Sequence, residues 1–258
     1  TTGSDANPGT LAAPFLTPQR GVDAANQPGD IVTFREGTYT VSATISCVTS
    51  GAAGTPIRYR GYSGETAVLR AADFGTDVIQ VQASHLVFSA LTARDGQIGI
   101  RLEVSLDGQN LVTSSPSDVA IEDCAVTDNH GWAGIQIDCG GGAAHAVPRG
   151  RGISIRRCVL QNNGVTEHHH GVYIDAGDDV LIEDCVARGN SGFGLHFYAD
   201  KQQGYEDIVM GGHRPVARRN RIYGNGFRGN NGCGIVLASG ESPLLTADEG
   251  WSGAVVEN

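Results

Sequence analysis

The chain of 258 residues contains one lysine, Lys201, and one methionine. Any chemistry that needs a lysine amine has a single candidate, and arginine supplies almost all the positive charge. Lysine and arginine together number 18 against 28 aspartates and glutamates, for a formal charge of −10. That balance excludes the broad basic surface on which a phosphate backbone is bound, so nucleic acid is not an expected partner. No stretch approaches the roughly 18 consecutive apolar residues that span a bilayer, which removes a membrane as partner. A chain opening on Thr in place of Met is expected to be a processed or trimmed, secreted form from which the signal peptide is already absent, and a monomer is expected. Six cysteines leave the redox compartment open, and the pairing of Cys47, Cys139 and Cys233 does not follow from spacing.

Aromatic residues make up only 6% of the chain, whereas glycine numbers 37, a composition suited to many tight corners. The glycines belong to a repeated phrase. Ile121-Glu122-Asp123-Cys124 is followed by Asn129 and Gly134, and Ile155-Arg156-Arg157-Cys158 by Asn163 and Gly171. Ile182-Glu183-Asp184-Cys185 is followed by Asn190 and Gly194, and Ala217-Arg218-Arg219-Asn220 by Asn225 and Gly234. An upstream copy places Val87, Ala90, Asp95, Gly99, Ile100 and Leu102 in the same slots, so that Ala90, Cys124, Cys158, Cys185 and Asn220 stand 34, 34, 27 and 35 residues apart. Fixed internal spacing with variable insertions marks a stacked-coil architecture. Short alternating runs of Val, Ile and Leu broken by Gly, Asn and Asp give about three strands per coil. The expected fold is all-β, a single-stranded right-handed parallel β-helix forming one domain over 1–258, with coils over 41–258 and a stack that stops partway through a further copy at Val255.

Charge supplies a check on register. Glu122-Asp123, Arg156-Arg157, Glu183-Asp184 and Arg218-Arg219 alternate in sign along the copies, as a ladder of cross-strand pairs would require. Asn129, Asn163, Asn190 and Asn225 are expected to stack as a turn ladder. Cys124, Cys158 and Cys185 form an inward column expected to pack as buried thiols, with bridges between coils as the alternative. Residues 1–40 are the expected cap, with Thr17 as N-cap and Pro18 opening a short helix to about Asn26 over the open end of the stack.

The opening reads Asp5-Ala6-Asn7-Pro8-Gly9-Thr10, then Pro14-Phe15, Ala24-Ala25, Pro28-Gly29-Asp30 and Gly37-Thr38-Tyr39, and Pro56-Ile57-Arg58-Tyr59-Arg60-Gly61-Tyr62 follows. These phrases resemble the N-terminal segment and first coil of secreted pectate-lyase-like β-helix proteins. The resemblance implies the fold over nearly the whole chain and, for activity, a group that includes polysaccharide lyases, glycoside hydrolases, uronate C5-epimerases and adhesins.

Insertions at 139–151, 164–170 and 199–215 are long enough to wall a cleft. The strands beside them align as Gly99-Ile100-Arg101-Leu102-Glu103, Gly134-Ile135-Gln136-Ile137-Asp138, Gly171-Val172-Tyr173-Ile174-Asp175, Gly194-Leu195-His196-Phe197-Tyr198 and Gly234-Ile235-Val236-Leu237-Ala238. With apolar slots inward, alternation sends Arg101, Gln136, Tyr173, His196 and Val236 outward in one column and Glu103, Asp138, Asp175, Tyr198 and Ala238 in the next. Tyr173 and His196 on adjacent coils suit acid-base work in a β-elimination. Asp175 joins them, and Arg101 or Gln136 can offset charge on a uronate carboxylate.

Asp138 and Asp175, about one coil apart, also suit the paired carboxylates of a glycosidase or a calcium ion. Glu103, Tyr198, His170 and Trp132 are the remaining expected substrate contacts, His170 lining the groove and Trp132 either stacking on a sugar or wedged between coils. Arg149, Arg151 and Arg214 are further cations near it. The expected function is a polysaccharide lyase acting on a uronate-containing glycan, with a glycoside hydrolase or a non-catalytic glycan-binding surface as alternatives.

Overall fold

The computed structural model describes residues 3–199, 207–226, 234–239 and 250–257. Lys201 and Cys233 lie outside the described residues, as does part of the insertion at 199–215. The chain is an all-β right-handed parallel β-helix of three long sheets. One sheet stacks eight strands from Ile31–Phe34 to Val255–Glu257, and a second stacks seven from Gly37–Val41 to Arg221–Tyr223. The third stacks Ile45–Cys47, Ile79–Val81, Ile100–Glu103, Ala133–Asp138, His170–Ala176, Leu195–Ala199 and Ile235–Ser239 in that order.

Three columns of left-handed residues turn each coil. Ala90, Asp123, Arg157, Asp184 and Arg219 form one, Asp95, Asp128, Asn162, Gly189 and Gly224 a second, and His85, Asp118, Gly152, Asp179, Arg214 and Gly253 the third, all with φ between 52° and 69°. A left-handed side-chain-bearing residue costs about 1 kcal/mol. The corners nonetheless hold because their amides are bonded to the next coil, as Asp123 N–H is to Arg156 O at 3.0 Å and Arg157 N–H to Glu183 O at 3.1 Å.

Ala90 belongs to this corner column, and that corrects the upstream copy by one residue. Ser89 pairs with Glu122 and Thr92 with Ala125, so Leu91 and not Ala90 fills the cysteine slot. Gly96, whose N–H donates to Asn129 Oδ1 at 3.1 Å, likewise fills the asparagine slot in place of Asp95.

The asparagines stack as expected. Asn129 Nδ2 donates to Asn163 Oδ1 at 2.9 Å, Asn163 Nδ2 to Asn190 Oδ1 at 3.0 Å and Asn190 Nδ2 to Asn225 Oδ1 at 2.8 Å. This ladder explains the glycine that follows it, since a Cβ on Gly134 would lie 2.7 Å from Asn163 Nδ2 and 2.9 Å from Gly171 O. The charge ladder also forms, with Glu122 opposite Arg156, Arg156 opposite Glu183 and Glu183 opposite Arg218. Cys124, Cys158 and Cys185 are buried free thiols. The helix runs over Pro18–Ala24, shorter than expected, with Thr17 Oγ1 accepting from Arg20 N–H at 3.3 Å. It caps the third sheet chemically, because Gln19 Oε1 accepts from Ser46 N–H at 2.8 Å and Gln19 Nε2 donates to Ser46 O at 3.1 Å, in place of a preceding strand.

Candidate active site

On the third sheet the inward slots hold Ile135, Ile137, Val172, Ile174, Leu195 and Phe197, all buried, which fixes the outward face by strand alternation. Arg101 pairs with Gln136, Gln136 with Tyr173, Tyr173 with His196 and His196 with Val236. The first outward column is therefore continuous. The second is interrupted. Glu103 pairs with Asp138, but Asp138 pairs with Ala176 across a register shift, leaving Asp175 as the extra residue of a bulge. Bulges re-aim side chains. Asp175, expected to stand outward beside Asp138, is instead only 9% exposed, and its Oδ2 accepts from Gln136 Nε2 at 3.0 Å.

Burial first, and then the charge of Asp138, push the Asp175 carboxyl well above its ordinary range, against the pull of hydrogen bonds from Gln136 and Tyr173. Asp138 is raised to about 6 by burial and by Glu103. The floor thus contains a buried carboxyl, Asp175, bonded to an amide and shifted towards its protonated form. Gln136 Oε1 and Asp138 Oδ1 are buried and lack a hydrogen-bond partner among the described residues.

Arg101 is not a free cation. Its Nε lies 2.9 Å from Asp77 Oδ2, too poorly aligned for a hydrogen bond, and its Nη1 lies 3.5 Å from Glu103 Oε2. Gln80, the outward residue of the preceding strand, is bonded to Glu103. Asp77 and Gln80 were not anticipated, although Gln80 sits opposite Arg101 in the same column, so extending the aligned copies one coil upstream would have found it.

His170, expected to line the groove, is 2% exposed and lies behind His196, with His170 Nε2 and His196 Nδ1 2.8 Å apart. Burial lowers His170 to about 2 and His196 to about 4, so both imidazoles are neutral at physiological pH. Tyr173 and His196 have ring centroids 5.2 Å apart. Trp132, 49% exposed, stacks towards Tyr173 at 6.5 Å, and Tyr198 flanks the other side at 6.5 Å from Tyr173 and 5.2 Å from His196. These rings form a strip running across three coils, of a kind that packs against sugar faces.

The insertions join. Gly141–Gly142 pairs antiparallel with Ile208–Val209, and Asp207 accepts from Ala144 N–H at 2.6 Å and Val112 N–H at 2.8 Å. Val104, Val112, Ala199, Ile208 and Met210 make a small second core beneath. Arg149 is committed to this lobe through Met210 O at 3.0 Å, and Arg214 to Asp179 at 2.7 Å. Among the described residues, the cations expected to serve the groove are thus largely engaged elsewhere.

A family model described as Pel9A-like, right handed beta helix region matches residues 1–149, and a second, described as right handed beta helix region, matches residues 147–253. The uncharacterized protein YwoF of Bacillus subtilis (strain 168) is 29% identical over 204 residues, which covers 75% of this chain and 41% of that protein. Among solved structures, pectate lyase Pel9A superposes with a TM-score of 0.68 at 18% identity, covering 93% of this chain and 58% of that one. The A-module of the mannuronan C-5 epimerase AlgE4 of Azotobacter vinelandii gives 0.62 at 20% identity, covering 93% and 62%. The lacto-N-biosidase of Eubacterium ramulus gives 0.61 at 14% identity, covering 98% and 54%. The chain thus spans less than two thirds of each of these proteins, and likeness at such identities concerns the fold.

Proposed function

Because the chain belongs to the Pel9A-like right-handed β-helix family, we propose that it is a secreted carbohydrate-active enzyme, a polysaccharide lyase that cleaves a uronate-containing glycan by β-elimination. The observation that carries this is the buried carboxyl of Asp175, shifted towards its protonated form and bonded to Gln136 beside Tyr173 and His196. A uronate carboxylate gains a second negative charge as its α proton leaves. A buried carboxylic acid that donates a hydrogen bond, with an amide next to it, disperses that charge without a free cation. An acidic chain whose Arg101 is already paired therefore has a means of holding a polyanion.

In the elimination, one of Tyr173 and His196 takes the proton from C5, the electron pair forms the C4–C5 double bond, and the C4–O bond breaks. The departing oxygen then takes a proton from the other group. A C5-epimerase would share the first of these steps and return the proton to the opposite face. Trp132 and Tyr198 would hold neighbouring sugars against the aromatic strip, with Glu103 and Asp138 at the end of the groove beside Arg101.

Calcium belongs to this proposal as the alternative state of the pair: with Asp175 ionised in place of protonated, Asp138 and Asp175 would hold the ion, which would offset their mutual repulsion. No step is routed through it: among the described residues no three His, Cys, Asp or Glu side chains converge as a metal site.

One observation favours a second reading. Asp138 and Asp175 influence each other and are both raised, as in the carboxylate pairs of glycoside hydrolases. A panel of uronate-containing and neutral glycans, with and without calcium, separates the two. Ultraviolet absorbance of an unsaturated product supports elimination, new reducing ends without it support hydrolysis, and binding with neither supports an adhesive surface.

A further inference from the structure

A backbone amide fixes the direction of the hydrogen bond between His170 and His196. Phe193 N–H donates to His170 Nδ1 at 3.0 Å. A backbone amide can only donate, so His170 Nδ1 carries no proton and the neutral ring holds its proton on Nε2. That nitrogen is the one 2.8 Å from His196 Nδ1. His196 Nδ1 must accept, because an arrangement in which it donated would leave both nitrogens of His170 bare. The neutral His196 ring then has its own proton on Nε2.

Packing holds the relay in place. Rings of Tyr173 and Phe193 lie on His170 with centroids 5.4 Å away at 29° and 30°. Gly192 approaches so closely that a Cβ there would stand 2.6 Å from His170 Nδ1 and 2.3 Å from Glu167 O. A larger residue would displace the loop that carries the Phe193 amide.

The geometry points to His170 as a positioning residue that locks His196 in its Nε2–H tautomer, so that His196 meets the glycan as a hydrogen-bond donor and not as the base. This rests on the lyase reading only for the identity of the ligand. There, Tyr173 takes the C5 proton as a phenolate, its own phenol proton having first passed to solvent, and His196 Nε2–H donates to a substrate oxygen that gains negative charge. A neutral imidazole is suited to that task because it donates without first shedding a proton.

Nitrogen-15 spectra of the imidazoles in the full folded chain read the tautomer directly, with His196→Gln assigning the signals. His196 Nδ1 is expected as an unprotonated, pyridine-type nitrogen and Nε2 as a protonated, pyrrole-type nitrogen in the wild type. His170→Gln, whose amide can still donate, retains that pattern. His170→Phe, which cannot donate, loses it and lowers kcat with little change in KM. A protonated Nδ1 on His196 in the wild type overturns the inference whatever the activity. The expected spectra from a protein that turns over no uronate glycan leave the tautomer lock standing and remove the lyase reading alone.

Discussion

The amide of Gln136 donates to the carboxyl of Asp175 at 3.0 Å across adjacent coils, and the two groups come together because a bulge places Asp175 out of step with Asp138. If Asp175 works as an uncharged donor, Asp175→Asn keeps the essential property and Asp175→Ala does not. Steady-state kinetics on the best uronate glycan are expected to show on the order of 100-fold loss in kcat for Asp175→Ala, the scale of one deleted donor at a developing anion. The Asn variant retains most activity. Equal losses in both would mean that the ionised carboxylate is the working form.

Tyr173 and His196 face outward on neighbouring strands, and their substitution removes no apolar contact from the core. Tyr173→Phe and His196→Ala are therefore expected to abolish turnover while circular dichroism and the melting temperature stay near those of the wild type. Activity like that of the wild type in both variants would take them out of the mechanism.

Folded His170 and His196 titrate near 2 and 4, against an ordinary 6.5. As pH falls below 6.5 the unfolded chain takes up protons that the folded chain refuses, so this contribution to stability declines down to the folded values. Asp138, raised from 3.8 to about 6, acts in the opposite sense: the folded state binds the extra proton and gains stability as pH falls through that window. Comparing melting temperatures of the wild type and His170→Gln between pH 7 and pH 4 isolates the histidine share. The wild type should lose ground to the variant as pH drops, and a constant difference would show that His170 protonates freely when folded.

Asn163 lies within the buried ladder, bonded to Asn129, Asn190 and Val126 O. Asn163→Ala strands several buried polar groups and is expected to lower unfolding free energy by about 3 kcal/mol in urea titrations. A loss under about 1 kcal/mol, the scale of an ordinary surface substitution, would mean that the ladder does little for the stack.

Much of this architecture was legible in the sequence because solenoid coils repeat their physics. The alternation Val172, Tyr173, Ile174 told which side chains face out, and the sign change from Glu122 to Arg156 to Glu183 set the register. The misses have local causes. Ala90 sits in a left-handed corner that its small side chain does not advertise, so the upstream copy was read one residue early. A bulge leaves no mark in an alternating string, so Asp175 was read as the partner of Asp138. His170 ends an insertion, where spacing says nothing about depth, and its burial behind His196 depends on the approach of Gly192 and Phe193. Arg101 looks available in the sequence because its partner Asp77 lies on the loop before Ile79–Val81, outside the repeated phrase.

Proton removal at C5 is the step on which the functional account depends, and it can be watched without choosing between elimination and epimerisation. The wild type is incubated with a polyuronate in deuterated water, and the sugar protons are followed by nuclear magnetic resonance. The C5 signal should disappear, through the unsaturated product or through exchange, and should persist with Tyr173→Phe. New reducing ends from the wild type with the C5 proton fully retained would contradict the account.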